Sequence, residues 1–214
     1  MVRRISPLHI VLCIFWLMAV GAGFAVMLDY QYAGGRSGLP PGHWPKGTSI
    51  ALDPSRDTLI MFAHPKCPCT RASIEELNRV MARCHDKVAT HVLFFRPCAF
   101  PRDWTRSGLW QSAAAVPGVE VEEDADGAEA RRFCAQTSGY VLLYSCRGQL
   151  LFHGGITGGR GHGGDNAGER AVVGLITGGG GAAFQTPVYG CSLLGACDSS
   201  TETSGQRAPQ NYLP

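Results

Sequence analysis

Phe62-Ala63-His64-Pro65-Lys66-Cys67-Pro68-Cys69-Thr70-Arg71 joins two segments of different periodicity. Before it, Thr58 to Ala63 is a short unbroken apolar run, the pattern of a strand buried on both faces. After it, Ile74, Leu77, Met81 and Cys84 recur at helical spacing among Arg71, Glu75, Glu76, Arg79 and Arg83, which predicts an amphipathic helix. Cys67 then falls at the N-cap. Pro68 takes the first helical position, where its missing N–H costs nothing and its fixed φ suits the helix. A thiolate at that cap meets unpaired backbone N–H groups at the positive end of the helix dipole, which lowers its pKa. Lys66 and His64 are expected to push the same way, making Cys67 the expected attacking thiol.

Two cysteines separated by one proline at a strand-to-helix junction are more often redox or metal residues than packing residues. A disulfide across one intervening residue closes a tight ring, so a Cys67–Cys69 bridge would be strained and readily reduced. With His64 the pair also offers three soft or borderline ligands suited to Cu(I) or Zn(II). No second Cys-x-x-Cys or His-x-x-x-His completes a structural zinc site.

Outward from the motif, the chain reads as an alternating α/β domain. Val88 to Phe95 is a second apolar strand, Trp104 to Ala115 a helix, Val119 to Val121 a short strand and Ala128 to Gln136 a helix. Tyr140–Tyr144 and Gln149–Phe152 around Arg147-Gly148 signal a β-hairpin, and Gly168 to Ile176 a last helix. The acidic run from Glu120 to Glu129, with Glu122, Glu123, Asp124 and Asp126, reads as a solvated loop. Strands alternating with helices give a three-layer sandwich around a small mixed sheet.

Upstream, Ile10 to Leu28 is free of charge and long enough to cross the hydrocarbon core of a bilayer, about 30 Å thick. Arg3 and Arg4 precede it and Asp29 follows, so the charge bias places the N-terminus in the cytoplasm and the remainder outside. Gly21 to Ala25 offers an alternative reading as a cleavage region. The expected division is a cytoplasmic N-terminus (1–9), a single-pass anchor (10–28), a Gly/Pro-rich linker (29–48), one domain (49–194) and a disordered tail (195–214). With 214 residues, Lys+Arg 19 against Asp+Glu 17 and 17% charged residues, the chain is neither an acidic solvating polymer nor a basic nucleic-acid binder. Of nine cysteines, Cys13 lies in the anchor and eight follow it, an even number in a compartment where disulfides persist.

The order strand, cysteine motif, helix, strand, helix, helix, hairpin, helix over residues 49–178 resembles the thioredoxin fold. More narrowly, His64 to Ser73 together with Gly154–Thr157, Arg160-Gly-His162, Gly164-Asp-Asn166 and Pro187-Val-Tyr-Gly-Cys191 is similar to the bacterial membrane-anchored, thioredoxin-like proteins called RedB. The resemblance implies an inner-membrane protein with a periplasmic domain and protein thiol or disulfide partners. Two departures stand out. The motif is Cys-Pro-Cys rather than Cys-X-X-Cys, so that setting Pro68 on the family's proline leaves Lys66 at the first cysteine's place and Cys69 at the second's. Where thioredoxins carry a cis-proline before the hairpin strand, this chain has Ser138-Gly139-Tyr140, so Tyr140 is expected to border the site.

Gly159-Arg-Gly161-His-Gly-Gly164 matches G-x-G-x-x-G, but no acidic residue follows about twenty positions on and no doubly wound sheet opens there, which excludes a dinucleotide site. The loop instead closes on Asp165-Asn166 as a helix N-cap; Arg160, His162 and Asp165 are its polar candidates near the cysteines. Cys191 is the best outside resolving thiol and Cys197 a weaker one, while Cys84 reads as a core residue. The expected activity is thiol–disulfide exchange by Cys67 with Cys69 or Cys191, without a cofactor. The alternatives are copper handling by His64, Cys67 and Cys69, or a redox-inert interaction module.

Overall fold

The computed structural model describes residues 6–179 and 184–193. Helix α1 (Pro7–Tyr32) opens the chain, followed by β1 (Asp57–Ala63), α2 (Pro68–Cys84), β2 (Val88–Arg96), a 3₁₀ turn (Arg102–Trp104) and α3 (Gly108–Ala114). Then come β3 (Val119–Ala125), α4 (Ala128–Arg132), β4 (Tyr140–Tyr144), β5 (Leu150–Gly154) and α5 (Ala167–Thr177). Among the described residues, α1 is the one helix long and apolar enough to cross a membrane. At 26 residues it is about 39 Å long, more than the thickness of a bilayer core, with Tyr30 and Tyr32 in its last turn.

The five strands form one sheet in the order β3-β2-β1-β4-β5. β1 pairs parallel with β2 and β2 parallel with β3, whereas β4 runs antiparallel to β1 and to β5. β1 is central and buried from Thr58 to Ala63, which explains its continuous apolar sequence. Its side chains alternate between two cores. Leu59, Met61 and Ala63 face Ile74, Leu77, Val80, Met81 and Cys84 of α2, with α3 and α5 alongside. Ile60 and Phe62 face Ala130 and Phe133, together with Tyr140, Leu142 and Tyr144 of β4. Each such buried aliphatic or aromatic side chain contributes roughly 1.5–3 kcal/mol, and Cys84 is part of the first core as expected.

Three expectations change. Most of the acidic run is not a loop: the strand expected at Val119 to Val121 continues as the edge strand β3 to Ala125, a place where charge discourages further strand pairing, Asp126 lies in the turn that follows and Glu129 in α4. Within β3 Asp124 is only 2% exposed and accepts the Glu129 and Ala130 N–H groups at 2.8 and 2.9 Å, capping α4, while Glu122 meets the His91 ring at 3.0 Å. Helix α3 starts at Gly108 rather than Trp104, because Thr105 Oγ1 closes the preceding 3₁₀ turn on Arg102 O. Helix α4 ends before Cys134, which adopts φ +54.

The Gly/Pro-rich segment after α1, read as a spacer, is laid along the domain. The Gly35 N–H donates to Val188 O at 2.7 Å and the Trp44 N–H to Gly148 O at 2.7 Å. The buried Tyr140 and Tyr144 hydroxyls donate to Gly38 O and Pro41 O at 3.1 and 2.8 Å. A Cβ at Gly38 would lie 1.9 Å from Cys134 O, so only glycine allows this approach. The Trp44 ring closes the second core edge-on against Phe133 and Tyr144. The expected tail from 195 onward and Cys197 lie outside the described residues.

Candidate functional site

The site is built where β1 ends and α2 begins. Cys67 is the N-cap, in extended conformation at φ −85 and ψ 119, and Pro68 opens the helix, as the sequence dictates. The loop between them is pinned from below by Ser138, whose Oγ accepts the His64 N–H at 2.9 Å and meets Thr70 Oγ1 at 2.7 Å. Ser138 also donates its N–H to Cys191 O at 2.8 Å, and Thr137 bridges to Ser192. The residues standing where thioredoxins carry a cis-proline thus fasten the Cys191 segment beside the helix cap. No cis peptide bond occurs among the described residues.

Cys191 is thereby brought onto Cys67. Its N–H donates to Cys67 Sγ at 3.4 Å although 124 residues separate the two. Cys67 is almost fully buried, and its pKa is held far below the ordinary thiol value. The first cause is the Cys191 thiol, which donates to it; the Cys191 amide, the Thr70 hydroxyl and the Cys69 amide follow, against burial. The Cys191 pKa rises in return, because its proton is held on the Cys67 sulfur and because it is itself sheltered. Cys69, more exposed, is raised by burial and by the neighbouring Cys67 charge, with Arg160 opposing. The three sulfurs are thus differentiated: Cys67 gives up its proton most readily, Cys69 and Cys191 less readily than an ordinary thiol.

The supporting candidates divide. The His64 ring is packed against Phe95 and Trp104, its Nδ1 accepts the Lys66 N–H at 3.1 Å, and burial lowers its pKa. Lys66 turns its ammonium over the Trp104 ring, 6.0 Å from the centroid, and the acidity of Cys67 comes chiefly from hydrogen bonds rather than from Lys66 or His64. Tyr140 does not line the sulfurs: its ring lies in the second core, and its hydroxyl is 3.0 Å from His153 Nδ1. Asp165 pairs with Arg170 at 2.7 Å on the surface, while Asn166 is the residue that caps α5. Arg160 does reach the site, its Nη1 donating to Gly190 O at 2.8 Å, whereas His162 contacts Gln31 Nε2 at 2.8 Å. Among the described residues, the metal-type side chains whose ligand atoms gather within 4.8 Å are His91, Glu120 and Glu122 on the β2–β3 edge, not the His64, Cys67 and Cys69 set.

Four strands running one way, β4 opposed between β1 and β5, and a cysteine motif capping the helix that follows the central strand complete the pattern. The domain has a thioredoxin-like fold. Two solved structures are similar to it in fold. A hypothetical protein from Sinorhizobium meliloti is 19% identical, with 75% of this chain and 93% of that one covered and a TM-score of 0.55. An uncharacterized conserved protein from Geobacillus kaustophilus is 17% identical over 79% and 95%, with a TM-score of 0.56. A secreted Mycobacterium tuberculosis disulfide oxidoreductase homologous to Escherichia coli DsbE overlaps less fully, at 15% identity over 59% and 84% with a TM-score of 0.44. No protein-family model matches the chain, and no curated protein does.

The pKa of Cys67 sets a pH test. Site-resolved alkylation of Cys67 in the reduced protein should hold its rate from about pH 8 to about pH 6.5 and then fall with a midpoint at about 5. The sign follows from a lowered acid pKa. The thiolate's contribution to stability is fully present above the unfolded value, and is lost as pH falls through the folded one. A midpoint above pH 7 would contradict the Cys191 hydrogen bond as its source.

Proposed function

We propose that this chain is a membrane-anchored, extracytoplasmic thiol–disulfide oxidoreductase acting on protein disulfides. The observation that carries the reading is the Cys67–Cys191 contact: a helix-cap sulfur buried against a second cysteine's N–H and S–H. The Cys67 thiolate attacks one sulfur of a partner disulfide, forming a mixed disulfide while the other partner sulfur leaves as thiolate. Cys191, giving its proton to the partner thiolate released in the first step, then attacks Cys67, closing a Cys67–Cys191 bond and releasing the first partner sulfur as a second thiolate. The partner disulfide gains two electrons and the dithiol loses them, and reversal of the same steps oxidises a partner dithiol. Cys69 is the less suited resolver, because a bridge across one residue is strained. The apolar α1, ending directly in contacts with the domain, supports a retained anchor. The RedB-like motifs support a bacterial inner-membrane setting with the domain in the periplasm.

Peptide mapping of the mildly oxidised full chain tests the assignment. The expected product links the Cys67 and Cys191 peptides; a Cys67–Cys69 bridge, or no bridge at Cys67, removes it.

A further inference from the structure

The rim of the thiol site is shared with the end of the apolar helix. Arg160 faces both. On one side its Nε donates to Tyr30 O at 3.2 Å, its backbone N–H donates to Gln31 O at 3.1 Å, and its guanidinium lies over the Tyr30 ring, 5.0 Å from the centroid. On the other side its Nη1 donates to Gly190 O, the carbonyl preceding Cys191, whose own N–H donates to Cys67 Sγ. His162 adds its contact with Gln31, and Gly159 lies beside the Tyr32 ring, where a Cβ would be at contact distance, 3.5 Å. From Gly35 the backbone is already bonded to Val188, three residues before Cys191, so no free tether separates helix end from thiols.

We propose that Arg160 is a positioning residue that makes the reactivity of the cysteine site depend on the seating of the domain against the end of its own membrane helix. The inference rests on the thiol-exchange reading and adds a control to it. A guanidinium suits this place because its planar fork can serve two carbonyls from separate segments while stacking on a tyrosine, which an ammonium cannot do. With Tyr30 and Gln31 engaged, Arg160 holds the Gly190–Cys191 turn, and with it the N–H and S–H groups that stabilise the Cys67 thiolate. Its charge also favours the thiolate forms of Cys69 and Cys191, against their burial. The other ionisable groups around the sulfurs are His64, whose pKa burial lowers, and Lys66, turned out over Trp104. When the helix end is withdrawn, Arg160 loses its outer partners, and the turn loses the clamp that aligns it.

The test uses the full chain in lipid nanodiscs, with two readouts. One is the rate of Cys67 alkylation at pH 5, resolved by peptide mass; the other is the equilibrium of the Cys67–Cys191 couple against glutathione. The variants are Arg160→Gln, Arg160→Lys and the double variant Tyr30→Ala/Gln31→Ala, which touches no sulfur and carries a short Gly-Ser insertion after Tyr32 so that the backbone carbonyls of residues 30 and 31 are withdrawn from Arg160 together with the Tyr30 ring. Arg160→Gln should slow alkylation by roughly two- to fivefold and move the couple toward the disulfide, as expected when a thiolate loses stabilisation equivalent to about one pKa unit or less. Tyr30→Ala/Gln31→Ala should move both readouts in the same direction, and Arg160→Lys should recover only part of the loss. If the helix-end variant leaves both readouts at wild-type values while Arg160→Gln changes them, Arg160 acts locally and the coupling is overturned. If neither variant changes them, the role of Arg160 is overturned too. A wild-type Cys67 inert to alkylator and glutathione alike would remove the thiol-exchange reading on which the coupling rests. An unchanged unfolding midpoint in each variant establishes that the domain remains folded.

Discussion

Cys67→Ser should lower dithiol–disulfide exchange with a peptide disulfide by at least about a hundredfold, because the hydroxyl that replaces the sulfur does not ionise near neutral pH and cannot form the mixed disulfide. The neighbouring positions decide whether this loss reports the proposed roles. Cys191→Ser keeps the attacker but removes both the S–H that stabilises it and the sulfur that releases the partner. That variant should react more slowly in the first step and then accumulate a mixed disulfide between Cys67 and the peptide, visible as an intact adduct by mass. Cys69→Ser should retain most of the exchange, since Cys69 contributes chiefly its backbone amide to the Cys67 thiolate, and serine keeps that amide. The reverse pattern, with Cys69→Ser trapping the adduct and Cys191→Ser turning over normally, would transfer the resolving role to Cys69.

What could be read in the sequence, and what could not, follows from the range of the forces involved. Cys67 as N-cap, Pro68 at the first helical position and the apolar run of β1 are local effects, and they stand where the residues put them. Asn166 capping α5 belongs to the same class. The thioredoxin-like strand order was legible only through the resemblance, since periodicity does not order strands. Cys191 could be named as a candidate but not chosen over Cys69, because its approach depends on Ser138 and Thr137 pairing with a segment some fifty residues away.

The strap from Gly35 to Trp44 reads as a spacer in sequence because it has no hydrophobic period. A signal existed: Tyr140 and Tyr144, four apart on a buried strand, lie on one face, and their hydroxyls need acceptors when buried. The strap's carbonyls are those acceptors. The acidic run is ambiguous in sequence for a related reason. On an edge strand one side of each residue remains solvated, so composition alone does not separate β3 from a loop, and the cap at Asp124 appears only once α4 is in place. Lys66 and Arg160 reversed their expected importance on the same ground. Sequence adjacency put a cation next to Cys67, but the Lys66 side chain found an aromatic face outside, while the distant Arg160 was carried in by its loop.

Gly190→Ala should separate the structural role of the Cys191 segment from its chemistry. A Cβ at position 190 would lie 2.0 Å from Ser138 O and 3.0 Å from Ser138 C, contacts with backbone that no side-chain rotation can relieve. The segment must therefore move away from the lead-in to β4, straining the Ser138 N–H to Cys191 O and Leu193 N–H to Gln136 O bonds, each 2.8 Å, and the Arg160 bond to Gly190 O. Overpacking against backbone together with loosened hydrogen bonds should cost about 2–4 kcal/mol, which in a chain of this size lowers the unfolding midpoint by roughly 5–15 °C. Cys191→Ser, by contrast, adds no atom and should leave the midpoint within a few degrees. In Gly190→Ala the Cys67 and Cys191 thiols both survive, yet the couple should fail to close under mild oxidation, and alkylation of Cys67 should lose its low-pH plateau as the Cys191 N–H and S–H move off the sulfur. A Gly190→Ala protein that closes the Cys67–Cys191 bond at the wild-type rate would show that the two cysteines meet without the close approach of residues 138 and 190, and the helix cap alone would then have to account for the acidity of Cys67.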